Sequence, residues 1–198
     1  MEPTLDQLIA THFPEREGAI RAYADFLKGP GIERGLIGPR EGDRIWERHI
    51  LNSLFVCQLL PQGASLFDIG SGAGLPGVVI ALSRPDLKVT LIEPLERRVE
   101  FLKEATAGTE IQVIRGRAQD VKKSADYVTA RAVAALDKLK KMSWHMLKMN
   151  GSLLAMKGES ASAEMASVPG AILHEITLEG IGLGRVVELK KLPKTPAQ

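Results

Sequence analysis

Cysteine is almost missing: Cys57 is the single one in 198 residues. That excludes a disulfide framework and a cysteine-rich zinc centre. Cys57 lies in the apolar run Leu54-Phe55-Val56-Cys57 and reads as buried filling, not as a nucleophile. Aromatic residues make up only 5% of the chain. A surface that stacks many single-stranded bases is therefore not expected, and Trp46 reads as helix packing. Long apolar runs are absent as well, since a bilayer span needs roughly 20 residues. The first ten residues carry acids and no basic cluster, so they do not read as a secretory signal. These absences point to a cytoplasmic protein that needs no membrane and no metal, with a monomer as the default.

The remaining composition, 44% hydrophobic and 25% charged, is that of a globular chain with a real core. Net charge is only +2, but it is unevenly spread. Residues 115–148 hold nine bases (Arg115, Arg117, Lys122, Lys123, Arg131, Lys138, Lys140, Lys141 and Lys148) against three acids. A local basic excess suits a nucleic-acid partner. A solvated helix face explains it equally well.

Two textures divide the chain. Residues 1–63 read as a helical extension. A first helix passes through Leu5, Leu8 and Ile9. A second runs from Pro14 towards Lys28 and is ended by Gly29-Pro30-Gly31, followed by a loop to about residue 42. A third, capped by Asp43, covers about 44–60. Residues 64–192 alternate short apolar runs with helical patterns. Strands are predicted at 66–69, 89–92, 111–114, 127–130 and 153–156, with a final pair at 171–178 and 185–191. Helices are predicted at 75–83, 95–106, 117–123, 135–148 and 159–167. This alternation predicts an α/β fold, a parallel sheet with helices on both faces and one antiparallel strand at the edge. Residues 193–198 read as a flexible tail.

The first strand runs into a glycine turn containing Gly70, Gly72, Gly74 and Gly77, which opens a helix. Open parallel sheets bind ligands at such a turn. Gly72-Ala73-Gly74-Leu75-Pro76-Gly77 fits the dinucleotide pattern G-x-G-x-x-G. The longer pattern D-x-G-x-G-x-G fits S-adenosylmethionine. Asp68 separates the two, because an acid suits a cationic amine and not a pyrophosphate. It could also cap nearby amides, but an acid inside an apolar strand calls for a ligand role. Glu93, ending the second strand, can accept the two ribose hydroxyls of either ligand, or favour the dipole of the next helix.

Together several runs resemble the RsmG (GidB) family, bacterial ribosomal RNA guanine-N7 methyltransferases of the small subunit. They are Arg48-His49-Ile50-Leu51-Asn52-Ser53-Leu54, the turn D-I-G-S-G-A-G-L-P-G at 68–77, Arg84-Pro85, Glu93-Pro94-Leu95 with Arg97-Arg98, Arg131-Ala132 and Lys157-Gly158. Residues 35–41, G-L-I-G-P-R-E, are similar to its actinobacterial branch. The resemblance implies a Rossmann-like methyltransferase sheet with a helical extension, S-adenosylmethionine as cofactor, and 16S ribosomal RNA or the small subunit as partner. It places cofactor contacts on Gly70, Leu75, Ala118, Gln119 and Arg131, beside Asp68, Gly72, Gly74 and Glu93. The family often has an acid at position 119, Asn at 35 and Asp at 52, where this chain has Gln119, Gly35 and Asn52.

Guanine N7 carries a lone pair and no proton, so transfer needs alignment and no general base. Arg131 and Lys157, ending the fourth and fifth strands, are the positioning candidates. Arg131 could meet the cofactor carboxylate, guanine O6 or a phosphate, or pair with Asp68. Lys157 could hold phosphate or base, or be a surface lysine. Arg40, Arg48 and His49 are candidate RNA contacts, and His49 could instead be a packing residue. Arg34 and Arg44 are further phosphate candidates. The chain lacks an Asn-Pro-Pro-Tyr motif for exocyclic amines and a Pro-Cys nucleophile for cytosine C5. A small-molecule methyltransferase and a nicotinamide-dinucleotide oxidoreductase are the competing readings, and a cofactor-binding protein without catalysis is a further one.

Overall fold

The predicted strands pair into one seven-stranded sheet of order β3-β2-β1-β4-β5-β7-β6 in the computed structural model, which describes residues 2–159 and 161–193. They are β1 (Ser65–Ile69), β2 (Lys88–Glu93), β3 (Gln112–Arg115), β4 (Ala125–Arg131), β5 (Leu147–Lys157), β6 (Ala171–Leu178) and β7 (Gly182–Lys190). The first five are parallel. β7 is antiparallel to both β5 and β6, so it lies one place inside the edge and the parallel-running β6 takes the edge. The expected antiparallel edge strand is corrected on that point. A tight hairpin from β6 turns inward to the free side of β5. The expected tail falls mostly on residues 194–198, outside the described residues.

Side chains alternate across each strand, so the sheet feeds two cores. Leu66, Leu91, Leu154 and Val186 point to one face with α3 (Gly77–Ser83), α4 (Glu96–Ala105) and the whole N-terminal extension. Phe67, Ile69, Val128, Leu153 and Val187 point to the other, against α5 (Leu136–Ser143) and α6 (Ala161–Met165). Asp68 follows Leu66 in this alternation, so its carboxylate enters the face that the extension covers.

The extension begins with α1 (Leu5–His12) and α2 (Glu17–Phe26). Its later part departs from expectation. Gly29-Pro30-Gly31 does not end the second helix. The backbone passes it in a wide π turn, Leu27–Gly31, and stops at Gly35, whose φ is +68°. A wide turn skips a bond of the regular ladder and so tolerates a proline that has no N–H to give. The left-handed conformation at 35 is one that glycine and asparagine share, which explains why either suits this helix stop. The single helix expected over 44–60 is broken into a π turn Ile45–Leu51 and a 3-10 turn Leu54–Leu59, and Asp43, its expected cap, lies inside a preceding 3-10 turn, Pro39–Arg44. Ile45–Leu51 and Leu54–Leu59 both bury apolar residues, so periodicity alone did not reveal the break between them.

Arg84 fastens the extension to the sheet. It pairs with Asp86 at 2.7 Å and donates to the carbonyls of Cys57 and Leu60, while Asp86 accepts the Gly63 N–H. The helix expected to reach residue 148 stops at Ser143, and β5 begins at Leu147.

Candidate active site

Chain reversal between β3 and β4 leaves the carboxyl ends of β1 and β4 as the switch point of the sheet. The glycine turn stands there. Ser71 donates its hydroxyl to the Asp68 carbonyl and accepts the Ile92 N–H, tying the turn to β2. Gly70, Gly74 and the buried Leu75 complete the turn. Gly72 has φ +59°, and a Cβ built on it would meet only the Gly70 carbonyl, at 3.8 Å. Gly77 is different: its Cβ would lie 2.3 Å from Leu91 and 2.6 Å from Asp68 Oδ2.

Asp68 is fully buried. Its Oδ2 accepts the Gly77 N–H at 3.0 Å. Its Oδ1 has no hydrogen-bond partner among the described residues. The structure thus gives Asp68 the capping bond and leaves a second oxygen open. Burial pushes the carboxyl up to about 7. An orphaned carboxylate oxygen in an apolar setting is costly, and an ammonium group would satisfy it. The residues present therefore fit the amino-acid end of S-adenosylmethionine.

Glu93 is almost fully buried and accepts the N–H groups of Gly72 at 2.9 Å and Leu95 at 3.1 Å. It joins the turn to the start of α4 and keeps acceptor capacity for hydroxyls. The backbone after β3 closes over it, with the Gly116 N–H on the Glu93 carbonyl. Ala118 and Gln119 follow in the short turn Ala118–Asp120, the first buried and the second exposed.

Arg131 ends β4 and is half-buried. Among the described residues it makes no ion pair with Asp68. Nη1 donates to the carbonyls of Arg48 and His49 at 3.5 and 3.4 Å, and Nη2 donates to His49 Nδ1. Beside it lies a cavity of about 390 Å³ lined by Asn52, Arg131, Ala132, Met156, Lys157 and Gly158 among others. A larger recess, about 630 Å³, opens near Lys88 and Gln112 at the amino ends of β2 and β3, away from these groups.

Other expected contacts are committed elsewhere. Lys157 is only 10% exposed and binds Glu164 at 2.8 Å and the Ala134 carbonyl at 2.9 Å. It braces α6 against the loop after β4 rather than reaching for phosphate. His49 has both ring nitrogens engaged, Nε2 on Glu41 at 3.0 Å and Nδ1 on Arg131, the packing role that was the other reading of this residue. Arg34 is bound bidentately by Glu104, and Arg44 pairs with Glu47. Arg40 is exposed, and Arg48 is exposed while bonded to Glu41. The basic stretch is also divided by the fold. Lys148 pairs with Asp126 beside Ser65, at the amino ends of the strands and so opposite the glycine turn, and Arg115 pairs with Glu96.

Sequence reading missed Tyr23. It sits on α2, is buried, and donates its hydroxyl to the Ala73 carbonyl at 2.8 Å. Burial and the neighbouring Asp68 raise its pKa well above the usual phenol range. A tyrosine on an apolar helix face needs a partner for its hydroxyl, and that need was the available signal. Tyr23→Phe is expected to cost about 1 kcal/mol of stability and to weaken cofactor binding several-fold by loosening the turn. Thermal melts and cofactor titration check both; an unchanged affinity would show that the turn holds its shape without this bond.

The described residues include no helix long and apolar enough to cross a membrane. Among solved structures, a methyltransferase from Pyrococcus furiosus matches 91% of this chain and 100% of its own, with TM-score 0.59 and 14% identity. An S-adenosylmethionine-dependent O-methyltransferase from Thermotoga maritima matches 79% of this chain and 72% of its own, with TM-score 0.57 and 14% identity. These show the fold. Sequence relatives are nearer. Ribosomal RNA small subunit methyltransferase G of Mycobacterium marinum is 47% identical, over 94% of this chain and 82% of that protein. The protein of the same name from Mycolicibacterium gilvum is 54% identical over 85% of this chain and 75% of its own. Residues 16–179 match the family described as rRNA small subunit methyltransferase G, and with such relatives over most of its length this chain belongs to that family.

Proposed function

We propose that this protein transfers a methyl group from S-adenosylmethionine to N7 of a guanine in 16S ribosomal RNA, acting as a cytoplasmic monomer on RNA or on the small subunit. The observation that carries the cofactor is the buried, unpartnered Asp68 Oδ1 beside the glycine turn. A cofactor site built from Asp68, Gly70, Gly72, Gly74, Leu75, Glu93, Ala118, Gln119 and Arg131 runs along the carboxyl ends of β1 to β4. Residues 1–63 serve as an extension that covers one face of the 64–192 sheet domain.

S-adenosylmethionine, when bound, supplies an electrophilic methyl group. Asp68 holds the amine end, Glu93 the hydroxyls, and Gly72 leaves room for close approach. Arg131 and the cavity between Asn52 and Gly158 orient the base. No side chain has to remove a proton, since N7 has none; rate comes from alignment and from a polar setting fixed before reaction. Arg40 and Arg48, both exposed, supply phosphate contacts.

Thermal shift tests the cofactor class. S-adenosylhomocysteine is expected to raise the melting temperature, and nicotinamide dinucleotides to leave it unchanged. The reverse pattern would favour an oxidoreductase. Labelled methyl transfer to ribosomal RNA, offered free and in subunits, tests the substrate class. Labelling of a small molecule with none on RNA would favour the other methyltransferase reading.

A further inference from the structure

The contact between Arg131 and His49 depends on protonation. An arginine donates and never accepts, so His49 Nδ1 must carry a free lone pair. The ring's proton then sits on Nε2, where Glu41 Oε2 accepts it at 3.0 Å. Glu41 is itself held by Arg48, whose Nη1 donates to Oε1 at 2.8 Å. The chain Arg48–Glu41–His49–Arg131 thus spans three elements: the turn Pro39–Arg44, the π turn Ile45–Leu51 and the end of β4. The backbone carbonyls of Arg48 and His49 add two more acceptors to the same guanidinium. Asn52 and Ser53 turn back onto those same two carbonyls, at 3.4 and 2.6 Å, and stiffen the turn that presents them.

We propose that His49 is a positioning residue, which with Glu41 aims the Arg131 guanidinium at the substrate cavity and releases it when the imidazole becomes protonated. An imidazolium offers Arg131 a donor and a positive charge in place of an acceptor. The groups facing the ring are Arg131 and Arg48, which oppose its protonation, and Glu41, which favours it. Burial and Arg131 outweigh Glu41, and His49 is held below the usual histidine range. The ring is therefore neutral at pH 7 and Arg131 is held in place.

The inference rests on the methyl-transfer reading for its kinetic test but not for its structural one. At saturating cofactor, wild-type kcat is expected to fall on the acid side of pH 6.5. His49→Phe, which offers no acceptor, is expected to lose at least tenfold in kcat at pH 7.5, a larger change than in KM for the cofactor. His49→Asn, whose Oδ1 takes the place of Nδ1, is expected to recover most of that rate and to lose the acid limb. Wild-type kcat in His49→Phe, or an asparagine variant that melts like wild type but is as slow as phenylalanine, would overturn the proposal. Nitrogen-15 NMR of the imidazole gives a reading without any substrate. His49 is expected as the Nε2–H tautomer and to titrate at higher pH in Arg131→Ala. If RNA is not methylated but this shift is seen, the function fails and the contact stands. An unmoved His49 titration overturns the contact itself.

Discussion

Asp68→Asn weakens S-adenosylmethionine binding by about a hundredfold and stabilises the ligand-free protein at pH 8. Asparagine keeps an acceptor for the Gly77 N–H but sets an NH2 group where the unpartnered Oδ1 stands. A donor there opposes an ammonium ligand. The stability effect follows from ionisation. The folded carboxyl is raised to about 7, above its unfolded value near 4. Its contribution is fully present below pH 4 and lost as pH rises through 7. By pH 8 the buried charge costs on the order of 4 kcal/mol. Asparagine never ionises, but its buried NH2 without a partner costs about 1–3 kcal/mol. The variant should therefore melt a few degrees higher than wild type at pH 8 and no higher at pH 5. In wild type, cofactor affinity should drop about tenfold per pH unit below 7, and the asparagine variant should lose that slope. Calorimetric titration and melts at the two pH values measure all three. Equal affinity in both proteins would remove Asp68 from the site.

Two glycine substitutions should both impair cofactor binding, by different routes. Gly77→Ala places a methyl group 2.3 Å from Leu91 and 2.6 Å from Asp68 Oδ2, both deep in the core. Overpacking of that kind costs about 1–3 kcal/mol, and it displaces Asp68, so stability and cofactor response fall together. Gly72→Ala meets only one atom, at 3.8 Å. It pays about 1–2 kcal/mol for the left-handed backbone but fills the face left open for the ligand. It should fold, melt a few degrees lower, and lose cofactor binding by more than tenfold. A Gly72→Ala protein that binds normally would move the cofactor off this turn.

Much of the sheet was legible because buried parallel strands are short apolar runs between turn signals. The runs at 66–69 and 89–92 fall within β1 and β2 for that reason. The antiparallel strand was placed wrongly at the edge because strand order past β5 depends on which side the hairpin folds, and nothing local encodes it. The breaks in 44–60 were hidden for a related reason: 3-10, α and π turns satisfy similar apolar spacing. Asp68 and Glu93 stood out as candidates because an acid within or at the end of an apolar strand is conspicuous. Contacts across long sequence separation were not. His49 meets Arg131 across 82 residues, and Tyr23 meets Ala73 across 50. The ion pair of Lys157 with Glu164 was not legible either, because it joins β5 to α6 through the fold. A count of bases along residues 115–148 could not show that Lys148 lies at the amino ends of the strands, away from the glycine turn.

Nucleoside analysis of the RNA after transfer bears most directly on the reaction. Small-subunit ribosomal RNA is incubated with this protein and cofactor labelled on its methyl group, then digested to nucleosides and separated by mass. Label confined to 7-methylguanosine, one per RNA and strongly reduced with Asp68→Asn at subsaturating cofactor, is the expected result. Label on another nucleoside, on an exocyclic amine, or on no RNA at all would contradict transfer to guanine N7.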